Sequence, residues 1–344
     1  MRGKAIIVGA GIAGLAVGRA LLDDGWDVTL HERAEGLPPS GTALGMWPEA
    51  MEALGRLGVA DAVRATGVLQ HGAAFLRPDG SAFARIASRD PAYLISRPTL
   101  HEFLYGSALQ ANVRWSSAVE DVATLPGADL IVGADGINSR VRPAVTDRRV
   151  SSRPLGTVAF RGVVPGRVDE VTETWGNGRL FGITPHDDLT TNWFACVRED
   201  VLGKYDGDLR DAELLAELFR GWHAGVTQVV KETASEQIDR RVLQDSAPLN
   251  SLFRGHTVII GDAAHAMAPN AGRGACEALI DAVALADALS AARTINDGLR
   301  AFDRSRHKPG QRTVRLSRFL NRLSTARNFN RVRQRTMSAL TRFA

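Results

Sequence analysis

The chain has 344 residues, of which 44% are hydrophobic, 23% charged and 6% aromatic. This composition is typical of a globular protein and excludes a disordered, collagen-like or disulfide-stapled chain. The length is sufficient for two modest domains. The cysteines, Cys196 and Cys276, exclude a disulfide framework and a CxxC metal or redox site. We expect both to be buried as small apolar residues.

Positive charge is concentrated at the C-terminal end of the sequence. Residues 301–344 carry 12 Lys and Arg and a single acid, Asp303, whereas the preceding residues carry 30 basic and 37 acidic side chains. The net charge of +4 therefore predicts no nucleic-acid-binding surface on the fold as a whole. The first apolar run is too short for a signal peptide, and no run is long enough to span a bilayer. We expect a cytoplasmic protein.

Residues 4–33 predict a strand, a turn, a helix and a second strand. The turn carries a G-x-G-x-x-G motif, formed by Gly9, Ala10, Gly11, Ile12, Ala13 and Gly14. In such a turn the first glycine permits the bend, the second lets a pyrophosphate approach and the third allows helix packing. Glu32 ends the second strand, where a carboxylate can accept hydrogen bonds from a ribose. The motif predicts a dinucleotide site but does not distinguish NAD from FAD. Arg33, which follows Glu32, either indicates NADP or is a surface arginine at the strand end.

Two segments predict an antiparallel sheet inserted into this α/β pattern. Gly72–Ile86 has the pattern of a hairpin around Pro78-Asp79-Gly80. Residues 154–198 alternate in the manner of β-strands, with turn residues near 165, 177 and 186.

Two further glycine motifs follow apolar strands. The first is Gly133-Ala134-Asp135-Gly136 with Ser139, Val141 and Arg142, and the second is Gly261-Asp262-Ala263-Ala264-His265 with Pro269 and Gly272-Arg273-Gly274-Ala275. We expect a parallel sheet with helices on both faces, in which the three motifs converge at one end of the strands.

In this order and spacing, the three motifs resemble those of the class A flavoprotein monooxygenases, the FAD-dependent aromatic hydroxylases of the p-hydroxybenzoate hydroxylase fold. The resemblance covers about residues 4–290. It implies an α/β fold in which a Rossmann-like FAD-binding domain has an inserted antiparallel β-sheet substrate domain and a C-terminal helical segment. The expected ranges are 1–70, 88–150 and 244–292 for the FAD-binding domain, 71–87 and 151–243 for the substrate domain, and 293–344 for the C-terminal helices.

The resemblance also implies which residues hold FAD, bound non-covalently. Arg97 would contact the flavin side, Asp135 the pyrophosphate region and Asp262, expected to be buried, a ribitol hydroxyl. The full expected set is Gly9, Gly11, Ile12, Ala13, Gly14, Glu32, Arg33, Arg97, Asp135, Asp262, Pro269, Gly272, Gly274 and Ala275. Two positions depart from the family pattern, because Arg273 replaces a common glutamine and Ile280 replaces an acid.

The activity implied by the resemblance is hydroxylation or epoxidation of an aromatic or conjugated small molecule, with NAD(P)H as transient reductant and O2 consumed through a C4a-hydroperoxyflavin. The inserted sheet would cover the substrate, with Arg161, Phe181, His186 and Trp193 as candidate lining residues and no assigned general base. Two alternatives remain open: a flavin-dependent halogenase or geranylgeranyl-reductase-like enzyme, and a flavin-binding protein without turnover. The halogenase pattern WxWxIP is absent. We expect a monomer or homodimer.

The C-terminal segment predicts an amphipathic helix after a break at Pro309-Gly310. Leu316, Phe319, Leu320 and Leu323 recur at helical spacing among arginines. We expect this apolar stripe to brace the two domains; docking on an anionic membrane surface is the alternative.

Overall fold

Two β-sheets organise the chain, and the computed structural model describes residues 2–108, 111–125, 127–146, 152–205 and 209–328. The strands are β1 (Lys4–Val8), β2 (Asp27–His31), β3 (Ala43–Met46), β4 (Val68–Leu76), β5 (Ala82–Ser96), β6 (Asn112–Arg114), β7 (Leu130–Gly133), β8 (Ser152–Pro165), β9 (Val171–Trp175), β10 (Arg179–Pro185), β11 (Thr190–Arg198), β12 (Asp239–Ser246), β13 (Phe253–Arg254) and β14 (Thr257–Ile259).

The α-helices connect and cover these strands. They are α1 (Ile12–Asp23), α2 (Pro48–Arg56), α3 (Ala60–Thr66), α4 (Arg97–Ser107), α5 (Arg142–Val145), α6 (Glu199–Leu202), α7 (Asp211–Leu218), α8 (Ala224–Glu232), α9 (Asp262–His265), α10 (Gly274–Ala291) and α11 (Ile295–Ser324). Within the described ranges, none of these helices is both long and apolar enough to cross a bilayer.

The first sheet has the strand order β13-β14-β7-β1-β2-β6. Neighbouring strands in this sheet run parallel, except that β13 pairs with β14 in the antiparallel direction. The central strands are short and almost wholly apolar because both faces of a parallel sheet are buried. The parallel sheet predicted from the three glycine motifs is therefore present, and β1, β7 and β14 place their carboxyl ends side by side.

We expected helices on both faces of this sheet, and in the described residues the long helices α1 and α10 lie on one of them. On one face, α1 packs against α4 and α10, and α10 packs in turn against α2 and α11. Beside Ile6 and Thr29, the structure places Val119 and Leu125, which belong to an irregular segment with a single 3-10 turn.

The second sheet has the order β12-β8-β11-β10-β9-β4-β5-β3. All of its pairings are antiparallel except that of β4 with β9, which joins the two inserted segments. The predicted hairpin around Pro78-Asp79-Gly80 is present, with strands that extend beyond residues 72–86. The fold class expected from the sequence is therefore confirmed.

The strand limits do not coincide with the expected domain ranges. The second sheet includes β3 and the outer ends of β4 and β5, which lie within ranges 1–70 and 88–150 that we assigned to the FAD-binding domain. Strand β12 crosses the expected boundary at 243/244. The domain boundaries themselves stay a prediction.

Helix α11 differs most from its sequence prediction. It continues through Pro309 and Gly310 without the expected break. A Cβ atom on Gly310 would lie 2.7 Å from the imidazole of His265, so this glycine allows α11 to approach α9 closely. Helix α11 lies against α10 of the first sheet's helix layer and against β12 of the second sheet, the position expected of a brace. Residues 329–344 of the expected C-terminal helices lie outside the described residues.

The C-terminal half of this helix buries polar residues, whereas Leu299 and Phe302 nearer its start lie in the apolar core. Leu316 and Phe319 are each 51% exposed, whereas Ser317, Asn321 and Ser324 are buried. Asn321 accepts a hydrogen bond from Thr157 (2.9 Å) and donates one to Asn270 (3.1 Å). The prediction of a buried apolar stripe is therefore wrong at Leu316 and Phe319, because α11 packs on polar loop and strand groups that need hydrogen-bonding partners.

We expect Asn321→Ala to lower the free energy of unfolding by about 1–3 kcal/mol, since it leaves buried polar partners without a hydrogen bond. Phe319→Ala is the matched substitution on the exposed side, and we expect a change within about 0.5 kcal/mol. Denaturant unfolding of both variants measures the difference. A larger loss from Phe319→Ala would show that the apolar stripe is the stabilising face after all.

Candidate functional site

The first glycine motif forms the turn between β1 and α1. Gly9 has a φ of +101°, and a Cβ atom there would lie 2.5 Å from the carbonyl oxygen of Ala134. A Cβ on Gly14 would lie 1.8 Å from the carbonyl oxygen of Gly9. At Gly11, by contrast, a Cβ would meet no described atom within 4 Å. Two of the glycines therefore serve packing, and Gly11 leaves open space before the helix N-terminus.

Glu32 ties this turn to the end of β2. Its Oε2 accepts the backbone N–H of Ala10 (2.7 Å) and its Oε1 accepts that of Ala34 (2.9 Å). Arg33 beside it is exposed. Ile12 and Ala13 form the first turn of α1 and are buried in the core, so they position the helix N-terminus.

The middle motif follows β7 and turns back on Asp135. Its Oδ2 accepts the backbone N–H groups of Arg140 (2.6 Å) and Val141 (3.2 Å). Its Oδ1 is buried and has no hydrogen-bonding partner among the described residues. A buried carboxylate oxygen without a partner is costly, which indicates a ligand contact at this position.

Arg142 links the middle motif to the third one, a role that we did not assign from the sequence. Its Nε donates to the carbonyl oxygen of Ala263 (2.7 Å) and its Nη2 to that of Asp262 (3.2 Å). Burial lowers the pKa of Arg142, while the charges of Asp135 and Asp262 act in the opposite direction. The sequence feature that could have revealed this role is the position of Arg142 as the last residue of the middle motif.

Asp262 begins α9 and is exposed rather than buried as expected. Arg97 begins α4, whose N-cap Ser96 accepts the backbone N–H of Thr99 (3.2 Å). Desolvation lowers the pKa of Arg97, and the charge of Asp262 partly offsets this effect. No hydrogen bond or ion pair of either side chain is found in the described part of the chain. Both groups are therefore available to a ligand.

The third motif continues into α10. Gly272 has a φ of +59°, and its carbonyl oxygen accepts the indole N–H of Trp47 (3.3 Å). A Cβ on Gly274 would meet no described atom within 4 Å. Pro269 is exposed and Ala275 half-buried. Arg273 forms ion pairs with Glu49 and Glu277, so it is held by the protein itself.

These features together fit a dinucleotide. Open space lies at Gly11 and Gly274, an unpaired oxygen belongs to Asp135, and accessible charges belong to Asp262 and Arg97. Helix N-termini at α1 and α10 favour negative charge at two places. The arrangement suits a long ligand with phosphates at one end and a hydroxylated chain and ring at the other.

A buried ionic cluster underlies the third motif, and we did not predict it. The Oδ2 of Asp281 accepts the backbone N–H of Gly261 (2.9 Å) and contacts Nε2 of His265 at 2.5 Å. Its Oδ1 accepts Nε of Arg306 (2.7 Å), whose Nη2 also donates to Glu277 (2.5 Å). Burial alone would lower the pKa of His265, but the Asp281 carboxylate raises it overall. His265 therefore packs beside Gly310 of α11 and is held by the Asp281 carboxylate of α10.

This cluster predicts how stability depends on pH. Because the pKa of His265 is raised above 6.5 in the folded protein, its contribution is full below pH 6.5 and is lost as pH rises through the folded value. The pKa of Asp281 is lowered below 3.8, so its contribution is lost as pH falls through that lower value. We expect His265→Gln to lower the melting temperature most between pH 4 and 6.5. A deficit that grows at alkaline pH would contradict the charged histidine.

The second sheet presents one face to this site, as two hydrogen bonds donated by backbone N–H groups show. The Oδ1 of Asn192 on β11 accepts the backbone N–H of Ala43 (3.2 Å), and the carbonyl oxygen of Thr42 accepts that of Arg97 (3.2 Å). Arg161 lies on the same face as Asn192, since it pairs with Phe194 two residues further along β11. The structure therefore places Arg161 on the site side of the sheet.

Phe181 and Trp193 lie on the opposite face, which corrects their assignment to the substrate pocket. Their rings stack with centroids 5.5 Å apart, both side chains are fully buried, and Phe219 packs edge-on against Phe181. They belong to a core beneath α7 and α8, since alternation along a strand sends neighbouring side chains to opposite faces.

His186 lies in the turn between β10 and β11. Its Nδ1 is 2.8 Å from Oγ1 of Thr190 and 3.0 Å from Asp187. These contacts close the turn, and a contact with substrate stays a prediction. Cys196 and Cys276 are buried as predicted, and burial raises the pKa of their thiols to about 12 and about 11.

We expect Asp262→Ala to weaken cofactor binding by one to two orders of magnitude, since a charge-assisted hydrogen bond contributes about 1.5–3 kcal/mol. Asp61→Ala removes an exposed carboxylate of α3 and is the control. Fluorescence titration of the apoprotein with FAD measures the effect. Equal affinity of the two variants would exclude Asp262 from the cofactor site.

Comparison with known proteins agrees with this geometry. The family model described as "FAD binding domain" matches residues 2–124 and 107–317. The aurachin C monooxygenase/isomerase of Stigmatella aurantiaca is 36% identical over 309 residues, covering 83% of this chain and 80% of the relative. The 3-amino-4-hydroxybenzoate 2-monooxygenase of Streptomyces cremeus is 32% identical over 314 residues, covering 83% and 78%.

A solved structure shows the same fold. Klebsiella pneumoniae HpxO complexed with FAD and uric acid superimposes with a TM-score of 0.85 at 23% identity, covering 99% of this chain and 93% of that one. The chain therefore belongs to the FAD-binding domain family of class A flavoprotein monooxygenases, and its cofactor is FAD.

Proposed function

We propose that the chain is an NAD(P)H-dependent monooxygenase that hydroxylates or epoxidises an aromatic or conjugated small molecule. The observation that carries the proposal is the arrangement of accessible charges at one site. Asp262 and Arg97 lie where the three glycine motifs meet, and the Arg161 face of the second sheet lies opposite them. Two relatives named as monooxygenases support this assignment of the reaction type.

The protein's own groups would bind and orient the reactants. FAD, when bound, supplies electron transfer from the reductant and activation of O2. Gly11 and the N-terminus of α1 would receive its phosphates, with Glu32 holding the turn in place. Asp262 would accept a hydroxyl of the ribityl chain. The N-terminus of α10 would stabilise negative charge on the ring.

Aerobic consumption of NADPH and NADH by the FAD-loaded protein tests the proposal. A panel of aromatic compounds, including aurachin C, urate and 3-amino-4-hydroxybenzoate, would be assayed with hydrogen peroxide measured in parallel. We expect one compound to accelerate reductant consumption and to gain one oxygen atom. Reductant consumption that yields only hydrogen peroxide with every compound would contradict the monooxygenase, and a lack of any consumption would favour a flavin-binding protein without turnover.

A further inference from the structure

Helix α11 has two sides with different surroundings. In its C-terminal half, the inner side consists of buried residues, which are Gly310, Val314, Ser317, Asn321 and Ser324. With about 3.6 residues per turn, positions 308, 312, 315, 319 and 322 lie on the opposite side, with position 316 beside them. The outer face of α11 is therefore formed by Lys308, Arg312, Arg315, Leu316, Phe319 and Arg322.

This outer face contains basic and apolar side chains and nothing else. Between positions 306 and 326, all of which the structure describes, no other residue is exposed. Leu316 and Phe319 are each 51% exposed. Phe319 lies near the centre, with Arg315 about one turn before it and Arg322 about one turn after it. At about 1.5 Å per residue, the face is about 21 Å long.

The acids around α11 point away from the outer face. Asp303 accepts the backbone N–H of Leu252 through its Oδ1 (2.7 Å). Asp245 of β12 is fully buried and pairs with Arg318. The acids that could have neutralised the outer face are therefore engaged inside the molecule.

The cations of the outer face are correspondingly free. In the described part of the chain, Lys308, Arg312 and Arg315 form no ion pair. The Nε of Arg315 donates to the carbonyl oxygen of Gln311 in its own helix (3.2 Å). Arg322 lowers the pKa of the Asp245 carboxyl against a larger effect of burial, but forms no ion pair with it. The outer face is thus a row of positive charge that is interrupted by two apolar side chains.

This combination matches an anionic lipid surface. Lipid phosphates attract lysine and arginine, and the apolar side chains of a surface helix enter the boundary between headgroups and acyl chains. A second copy of the chain fits less well, because two-fold pairing would bring the same arginines of both copies together. A nucleic acid also fits less well, since the face exposes no amide or hydroxyl side chain that could contact base edges.

We propose that the outer face of α11 docks the protein on a membrane surface that contains anionic phospholipid. The helix lies along the surface, its basic side chains contact the phosphates, and Leu316 and Phe319 enter the headgroup region. The inner side keeps its hydrogen bonds, such as that from Asn321 to Asn270 (3.1 Å), so docking leaves the third motif in place. The contact is peripheral and reversible, since a few charges and two apolar side chains bind far more weakly than a membrane-spanning helix.

Co-sedimentation of the full-length, FAD-loaded protein with vesicles tests the proposal. One vesicle population is pure phosphatidylcholine, and the other contains about one third phosphatidylglycerol. We expect binding to the anionic vesicles to be at least about tenfold tighter, because each basic side chain at an anionic surface contributes about a factor of five. Addition of about 0.5 M NaCl should abolish this preference, since salt screens the attraction.

Arg312→Gln combined with Arg315→Gln is the first diagnostic variant. We expect it to lose about 25-fold in affinity for the anionic vesicles. The matched control is Arg64→Gln combined with Arg114→Gln, which removes the same charge from exposed arginines on α3 and β6. The control should lose less than about twofold, because those charges lie away from the docked surface.

Phe319→Ala is the second diagnostic variant. Removal of the half-exposed ring should weaken binding to the anionic vesicles about fivefold. Leu189→Ala, at a leucine that is 79% exposed in the turn between β10 and β11, is its control and should leave binding unchanged. Melting temperature and FAD content, measured on every sample, show whether each variant is folded.

Several results would overturn the proposal. Absence of binding to the anionic vesicles, equal binding to both vesicle types, or equal losses in a variant and its control would each do so. Self-association that Phe319→Ala abolishes would assign the outer face to a second copy of the chain. Binding to a DNA duplex that is tighter than binding to the vesicles, and that is lost in the Arg312→Gln and Arg315→Gln variant, would assign it to nucleic acid. None of these results bears on the proposed reaction, which is measured separately by NAD(P)H oxidation.

Discussion

Asp281→Asn is expected to lower the free energy of unfolding by about 3–5 kcal/mol, the usual cost of removing one partner from a buried ion pair. Asp281 is fully buried and holds Gly261, His265 and Arg306 at once. The amide cannot neutralise the two cations, and its NH2 group cannot accept a hydrogen bond. Arg306 would keep Glu277 but lose its second carboxylate, and His265 would lose the carboxylate that opposes its desolvation.

Asp287→Asn provides a matched control on the same helix. Asp287 lies on α10 but its side chain is 48% exposed and pairs with Arg56 at the surface. Such pairs contribute about 0–1 kcal/mol. Thermal and denaturant unfolding of the two variants would measure the difference. A loss in Asp281→Asn no larger than that in Asp287→Asn would show that the cluster contributes little to stability.

The same variant should also weaken FAD binding, because the cluster positions the third motif. Asp281 fixes the backbone of Gly261, and the next residue is Asp262. Arg306 extends the connection to α11, so the C-terminal helix stabilises the cofactor site through buried charge. We did not foresee this from the sequence, in which His265, Asp281 and Arg306 are separated by 16 and 25 residues.

The parts of the fold that follow from local rules were predictable. The glycine motifs place a turn after each of β1, β7 and β14. Turn residues around 79, 177 and 186 mark hairpins of the second sheet, and those around 165 mark the end of β8. Steric limits on glycine and on turn residues act within a few positions, so they are visible in the sequence. Their spacing was also sufficient to assign the family correctly.

The features that depend on which face of a strand or helix becomes buried were not predictable. Strand alternation correctly predicts that Phe181 and Trp193 lie on the face opposite to Phe194. The sequence does not show which of the two faces α7 and α8 will cover. Helix α11 buries Asn321 and exposes Phe319 because its neighbours present polar groups, which only the assembled fold defines. Burial of a side chain is decided by tertiary contacts, and periodicity alone gives the stripe without its partner.

Gly11→Ala and Gly14→Ala are expected to separate cofactor binding from folding within one motif. A methyl group at position 14 would lie 1.8 Å from the carbonyl oxygen of Gly9, so the turn or α1 must move. Such overpacking costs about 1–3 kcal/mol or more. We therefore expect Gly14→Ala to lower the melting temperature of the apoprotein and, through the distorted turn, its affinity for FAD.

Gly11→Ala should behave in the opposite way. Its φ of −76° is accessible to alanine, and no described atom lies within 4 Å of the added methyl group. Replacing glycine under these conditions reduces the entropy of the unfolded chain and stabilises by about 0.4–1 kcal/mol. The apoprotein should therefore melt at an equal or higher temperature.

The methyl group of Gly11→Ala would nevertheless occupy the space through which the pyrophosphate approaches the backbone, and we expect FAD affinity to fall about tenfold or more. Apoprotein melting curves and FAD titrations of both variants measure the two quantities independently. A Gly11→Ala protein that binds FAD normally would place the phosphates elsewhere, because this open space is the feature that distinguishes Gly11 from the two packing glycines.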